Sequence, residues 1–179
     1  MESAMNRMTI CKVLVLLTIM IACAIPAVTA QETDATTVND KKFGISVALQ
    51  TEQLDLTFPI WPGSSIVIIP SISIVSVSDV ATDFGIGLGL RYNLNTTEAV
   101  PYIGIRFVAL NLLPKNGDSI TDLVFGLFSG GEYFFSDHFS LSVEAQLNYA
   151  KSDEFSTRFG NPDGTNVNTA TVALATFYF

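Results

Sequence analysis

The side chains that could do chemistry are few and thinly spread. His138 is the only histidine and sits in the short sequence Ser136-Asp137-His138. An imidazole acts as a general base only with a nucleophile held against it. Polar residues at a tight bend need no such role, so His138 is read as a turn residue. Gly85, Gly87 and Gly89 suggest a phosphate loop, but the spacing is wrong and no helix follows, so nucleotide binding is not expected. Asp153, Glu154 and Asp163 give one loop an acidic character that solvation accounts for. Cys11 and Cys23 are the only cysteines, and both fall in a segment expected to be removed. One histidine and no mature cysteine leave no ligand set for the usual metal sites. No catalytic residue, cofactor or enzymatic role is expected.

The remaining polar residues are ordered by alternation. From Gly126 to Ala150 the chain reads GLFSGGEYFFSDHFSLSVEAQLNYA. Leu141, Val143, Ala145, Leu147 and Tyr149 share one face, and Ser142, Glu144, Gln146 and Asn148 share the other. Phe125, Leu127, Ser129, Gly131 and Tyr133 alternate in the same way before the Ser136–His138 bend. Period two with a very short turn predicts a hairpin. The pattern recurs in Phe43–Leu49, Leu54–Ile60, Ile66–Val75, Phe84–Tyr92, Ile103–Ala109 and Asn168–Phe179. The second of these is the weakest because Pro59 cannot donate to a ladder. No amphipathic helical stretch intervenes, and about eight strands are expected. Breaks fall at Ser78–Asp83, Asn95–Glu98 and Pro114–Ile120, with the longest loop at Lys151–Asn166.

The amino terminus belongs to a different class. Arg7 and Lys12 precede an apolar run from Val13 to Ile25, Pro26 interrupts it, and Val28-Thr29-Ala30 offers small residues. That is the order of a secretory signal peptide, and the run is short for a membrane helix, which needs about 20 residues. Residues 1–30 are read as a cleaved signal, 31–41 as a flexible lead-in and 42–179 as the folded domain. Acylation at Cys23 is disfavoured because Met20-Ile21-Ala22 fits a lipoprotein site poorly. Losing Arg7, Lys12 and Glu2 takes nine basic and seventeen acidic residues to seven and sixteen, a net charge of −9. Such acidity excludes a nucleic-acid partner of the usual kind.

Charge content decides which way the strands face. Charged residues make up only 15% of the chain while hydrophobic ones make up 49%, well below the roughly 25% charge of a soluble domain. The mature lysines, Lys41, Lys42, Lys115 and Lys151, all avoid strand middles. A water-facing surface of Gly85, Gly87, Gly89, Gly104, Gly126 and Gly130 would be odd, whereas a narrow interior needs small residues. The apolar face is therefore assigned to lipid, and backbone pairing in hydrocarbon then requires a closed barrel. With Asn95–Glu98 and Ser136–His138 at the periplasmic side, Tyr92, Tyr133 and Trp61 fall near one interface and Tyr149 near the other. Arg91, Arg106, Glu132 and Glu144 become the four interior charges. Arg91 and Glu132 lie low and Arg106 and Glu144 nearer mid-barrel, as two layers of ion pairs completed by Gln146, Asn148 and Tyr102. Buried charge needs such partners.

Three stretches carry a resemblance: Gly87–Phe107 (GLGLRYNLNTTEAVPYIGIRF), Gly130–Ala150 (GGEYFFSDHFSLSVEAQLNYA) and the closing Thr176-Phe177-Tyr178-Phe179. The chain resembles the small OmpA/OmpX-like outer-membrane β-barrels of Gram-negative bacteria. The resemblance implies an eight-stranded antiparallel up-and-down transmembrane barrel in the outer membrane, surrounded by lipid and monomeric. It also implies that Phe177 and Phe179 serve as the signal read by the barrel-assembly machinery. The expected role is structural or surface-interacting, with outer loops meeting an extracellular partner. A porin-like channel for small polar solutes is the alternative, and a soluble barrel for a hydrophobic ligand a third reading. Lipid hydrolases of similar fold use a histidine near the outer surface, the end opposite His138.

Overall fold

The computed structural model describes residues 43–49, 54–77, 81–95, 97–115 and 118–179. The expected signal peptide, 1–30, and lead-in, 31–41, lie outside the described residues. Eight strands follow one another: β1 (Gly44–Leu49), β2 (Leu54–Thr57), β3 (Ile66–Val77), β4 (Ala81–Asn93), β5 (Ala99–Pro114), β6 (Ile120–Ser136), β7 (Phe139–Lys151) and β8 (Thr165–Tyr178). Each pairs antiparallel with the next, and β8 returns to β1 from Gly44↔Tyr178 to Leu49↔Ala173, closing the barrel. This is the all-β, up-and-down architecture that the alternation predicted.

Local chemistry explains the uneven strands. β2 has four residues because Pro59 has no N–H to give. The wall continues past it through separate contacts: Phe58 N–H donates to Pro70 C=O at 2.8 Å, and Ile60 bridges Phe43 and Ile68. The β6–β7 ladder runs from Leu123↔Lys151 to Phe134↔Ser140, then shifts register between Phe134 and Ser136. That bulge sets up the two-residue bend at Asp137-His138. Several boundaries differ from the sequence reading. β4 begins at Ala81, which places Asp83 in a strand rather than in a break, and β5 runs on to Pro114. Leu110, Leu112 and Leu113 put apolar residues on both faces there, which hides the period although the ladder continues to Leu112↔Ile120.

The exterior is a continuous apolar band. Ile86, Leu88, Leu90, Ile103, Ile105 and Phe107 are all exposed on adjacent strands. In water so large a patch would drive aggregation; around a closed barrel it is the lipid-facing surface. Tyr92 and Tyr133 sit on this surface at the short-turn end, and Tyr149 is exposed toward the loop end. Trp61 corrects the expected girdle, because it points inward and is only 6% exposed. Its parity follows from Thr57 and Pro59, both buried. The inward face at that end holds Val67, Val100, Phe134 and Tyr178, with which Trp61 packs.

Candidate functional site

The interior is built in three tiers. The lowest, at the short-turn end, centres on Arg91 of β4 and Glu132 of β6. Arg91 Nη2 donates to Glu132 Oε2 at 2.7 Å, and both side chains are almost fully buried. Glu132 also accepts from Ser140 Oγ and from Tyr178 Oη, each at 2.5 Å. The guanidinium carbon stands 4.5 Å from the Tyr102 ring centroid and 5.2 Å from that of Trp61. A carboxylate with three donors and a cation held near two aromatic rings are the partners that buried charge needs. Together with Val67, Val100 and Phe134 these side chains fill the lumen at this end.

Glycine makes that filling possible. Across the β5–β6 ladder Tyr102 is opposite Gly130, Gly104 opposite Phe128 and Arg106 opposite Gly126. A Cβ on Gly104 would collide with the Phe128 ring, and one on Gly126 would meet Arg106 Cγ at 2.9 Å. The alternating glycines are therefore receptors for neighbouring large side chains.

The middle tier differs from the expected second ion pair. Arg106 Nη2 donates to Asn148 Oδ1 at 3.2 Å, and Asn148 Nδ2 passes the chain on to Asn168 Oδ1 at 3.3 Å. Glu144 takes its hydrogen bonds from Gln146 Nε2 at 2.5 Å and Tyr102 Oη at 3.4 Å. Among the described residues no salt bridge joins Arg106 to Glu144, so the structure brings together one of the two expected pairs. The two residues lie on non-adjacent strands, and Gln146 and Asn148, on the same face of β7 as Glu144, take the intervening bonds.

The outer tier was not foreseen. Asp122 is fully buried and accepts from Asp153 N–H at 2.9 Å and Ser156 Oγ at 2.7 Å. Arg158 reaches Asp122 at 3.4 Å and Asp83 at 2.8 Å. These bonds fold the 152–164 loop over the barrel mouth, with Asp163 in the left-handed region at φ 53°. The interior charges thus number more than the four inferred. Asp55, Asp83 and Asp122 were passed over because the sequence placed them in a doubtful strand, a break and a strand end. Tyr178 was also missed, although its parity opposite Phe177 and Phe179 marks it as inward.

His138 is exposed in the bend, where Nδ1 lies 3.2 Å from Tyr178 C=O. Among the described residues no hydroxyl group hydrogen-bonds its ring. Phe177 and Phe179 point outward, 57% and 73% exposed. Phe177 packs against Phe139 and Phe179 against Phe43 at the short-turn rim. Between the middle and outer tiers lies a cavity of about 230 Å³, bordered by Arg106, Gln146 and Asn168 among others and covered in part by Phe159.

No family model matches the sequence, and no curated protein matches it. Solved structures are similar in fold. The N-terminal β-barrel domain of Pseudomonas aeruginosa OprF aligns with 80% of this chain and 100% of its own, at 13% identity and a TM-score of 0.57. Neisserial surface protein A aligns with 76% of this chain and 92% of its own, at 14% identity and a TM-score of 0.50. The chain thus has the fold of these small eight-stranded outer-membrane barrels.

Proposed function

We propose, from a fold shared with the small outer-membrane barrels, that the protein is a non-conducting integral barrel of a Gram-negative outer membrane. In this reading it has a structural or surface-interaction role and no enzymatic one. The observation that supports this is the lower tier, where the buried side chains of Arg91, Glu132, Trp61, Tyr102, Phe134 and Tyr178 pack against one another inside the barrel. An eight-stranded barrel is only wide enough for its own side chains. The short turns face the periplasm and the longer loops the exterior, as in other bacterial barrels. The 152–164 loop, held down by Asp122, is then the surface offered to an extracellular partner. Exposure of Phe177 and Phe179 at the periplasmic rim suits contact with the assembly machinery.

Planar-bilayer recording from purified, heat-modifiable protein tests the reading. The expected result is no stable unit conductance from the native barrel. A steady unit conductance that disappears on substituting Gly104 with a larger residue would replace this role with a porin-like one. Protease treatment of intact cells should cut the 152–164 loop and spare the Asp137-His138 bend.

A further inference from the structure

The cavity of about 230 Å³ between the middle and outer tiers has a mixed lining. Thr57, Ser71 and Ser73 come from β2 and β3, and Gln146, Asn148 and Asn168 from β7 and β8. β3 and β7 stand four strands apart in a ring of eight, so these two polar walls face each other. Ser71 and Ser73 pair with Gly87 and Gly85 of β4, and their hydroxyls occupy the space that a Cβ on either glycine would take. Val108, Leu110, Phe128 and Phe159 set apolar patches among the polar groups. Phe159 is supplied by the 152–164 loop, where the adjacent Arg158 is fixed to Asp83 and Asp122.

Several polar atoms of the lining lack a partner. Gln146 Oε1, an acceptor on a side chain 4% exposed, and Arg106 Nε, a donor, are buried without one. Among the described residues the hydroxyls of Thr57, Ser71 and Ser73 also make no hydrogen bond. Buried polar groups are nearly always paired, so this set calls for an occupant that both donates and accepts. A hydroxyl does both; an ammonium only donates and a carboxylate only accepts. The Asp55 and Glu144 carboxylates outnumber the Arg106 cation in the lining, which further disfavours an anion. Water would meet the polar atoms but gain little from Val108, Leu110 and the two phenyl rings. A ring with hydroxyls at its edge and C–H groups on its faces meets both kinds of lining. The volume lies below the ~300–1,000 Å³ usual for ligand pockets, which limits the occupant to one such ring.

We propose that the cavity is a binding site for a small neutral polyhydroxylated solute, about the size of a single sugar ring. Its hydroxyls pair with the Thr57, Ser71 and Ser73 wall and with Arg106, Gln146 and Asn168 across from it. Phe159 covers one C–H face of the ring.

The test uses the folded barrel in phosphatidylcholine nanodiscs, with D-glucose, D-galactose, D-mannose and myo-inositol as probes in saturation-transfer NMR. Saturable binding of at least one is expected, with transfer from the Phe159 ring to its C–H protons. Ala170→Phe, which projects a phenyl ring into the cavity, should weaken that binding at least tenfold. Phe155→Ala, on the same loop but 68% exposed, should leave it unchanged. Glucuronate and glucosamine in its ammonium form, each a sugar ring carrying a charge, should bind at least tenfold more weakly than the best neutral probe. Failure of all four neutral probes to bind overturns the proposal. So does binding that Ala170→Phe leaves intact while the compact heat-modifiable band is retained, since the solute would then sit elsewhere. Equal binding of either charged ring overturns the assignment of a neutral ligand. Should Ala170→Phe not fold, transfer from Phe159 on the native barrel decides, its absence overturning the site.

Discussion

Arg91 and Glu132 lie on strands that do not pair, yet the guanidinium reaches across β5 to the carboxylate at 2.7 Å. Closure of the barrel makes this contact: curvature turns the inner faces of β4 and β6 toward each other, and Gly104 on the strand between, opposite Arg91, leaves room for the crossing. Both groups are out of water, so each depends on the other.

Removing one partner should therefore be costly. Arg91→Ala, which leaves Glu132 buried without its cation, is expected to destabilise the barrel by about 3–5 kcal/mol. Glu132→Ala should cost a similar amount, and the double variant less than the sum. Urea unfolding followed by Trp61 fluorescence measures this at the site itself, because Trp61 is the only tryptophan and packs on Arg91. Strict additivity would show that the pair is not coupled.

The middle tier should behave otherwise. Arg106→Ala loses the bond to Asn148 and should cost about 1–3 kcal/mol. The coupling between Arg106→Ala and Glu144→Ala should stay below about 1 kcal/mol, since each residue spends its hydrogen bonds elsewhere. A double-mutant cycle giving a coupling as large as that of Arg91 with Glu132 would contradict the geometry.

Gly104 and Phe128 share one volume. Gly104→Val is expected to destabilise by about 1–3 kcal/mol through overpacking. Adding Phe128→Ala should make the pair less harmful than the two separate costs combined. Thermal loss of the compact gel band reports the outcome, and the absence of any rescue would mean that the glycine is required for another reason.

Asp122 anchors the outer loop more than it supports the barrel. Asp122→Ala should cost about 1–3 kcal/mol of local order and speed tryptic cleavage at Arg158 several-fold on intact cells. The barrel's own melting should change little. Unchanged cleavage would show that the loop is held by other contacts.

Much of this architecture was legible beforehand, for a simple reason. Side-chain direction in a strand has period two, so Gly126–Ala150 declares its inner and outer faces residue by residue, and scarce lysine with abundant glycine says which face meets lipid. Parity also places Thr57, Pro59 and Trp61 on one side and Tyr178 opposite Phe177. Where alternation blurs, as at Leu110–Leu113, or where a proline interrupts it, as at Pro59, strand limits and the charges near them were lost.

By itself the sequence determined the strand number, the sense of each face and the lipid-facing exterior, because these depend on neighbours along the chain. Tertiary structure alone decided which interior charges meet. Arg91 finds Glu132 while Arg106 turns to Asn148, because the contacts depend on the register of eight strands and on the curvature that brings non-adjacent ones together. Among the described residues the same register leaves β1 and β2 the shortest strands of the barrel.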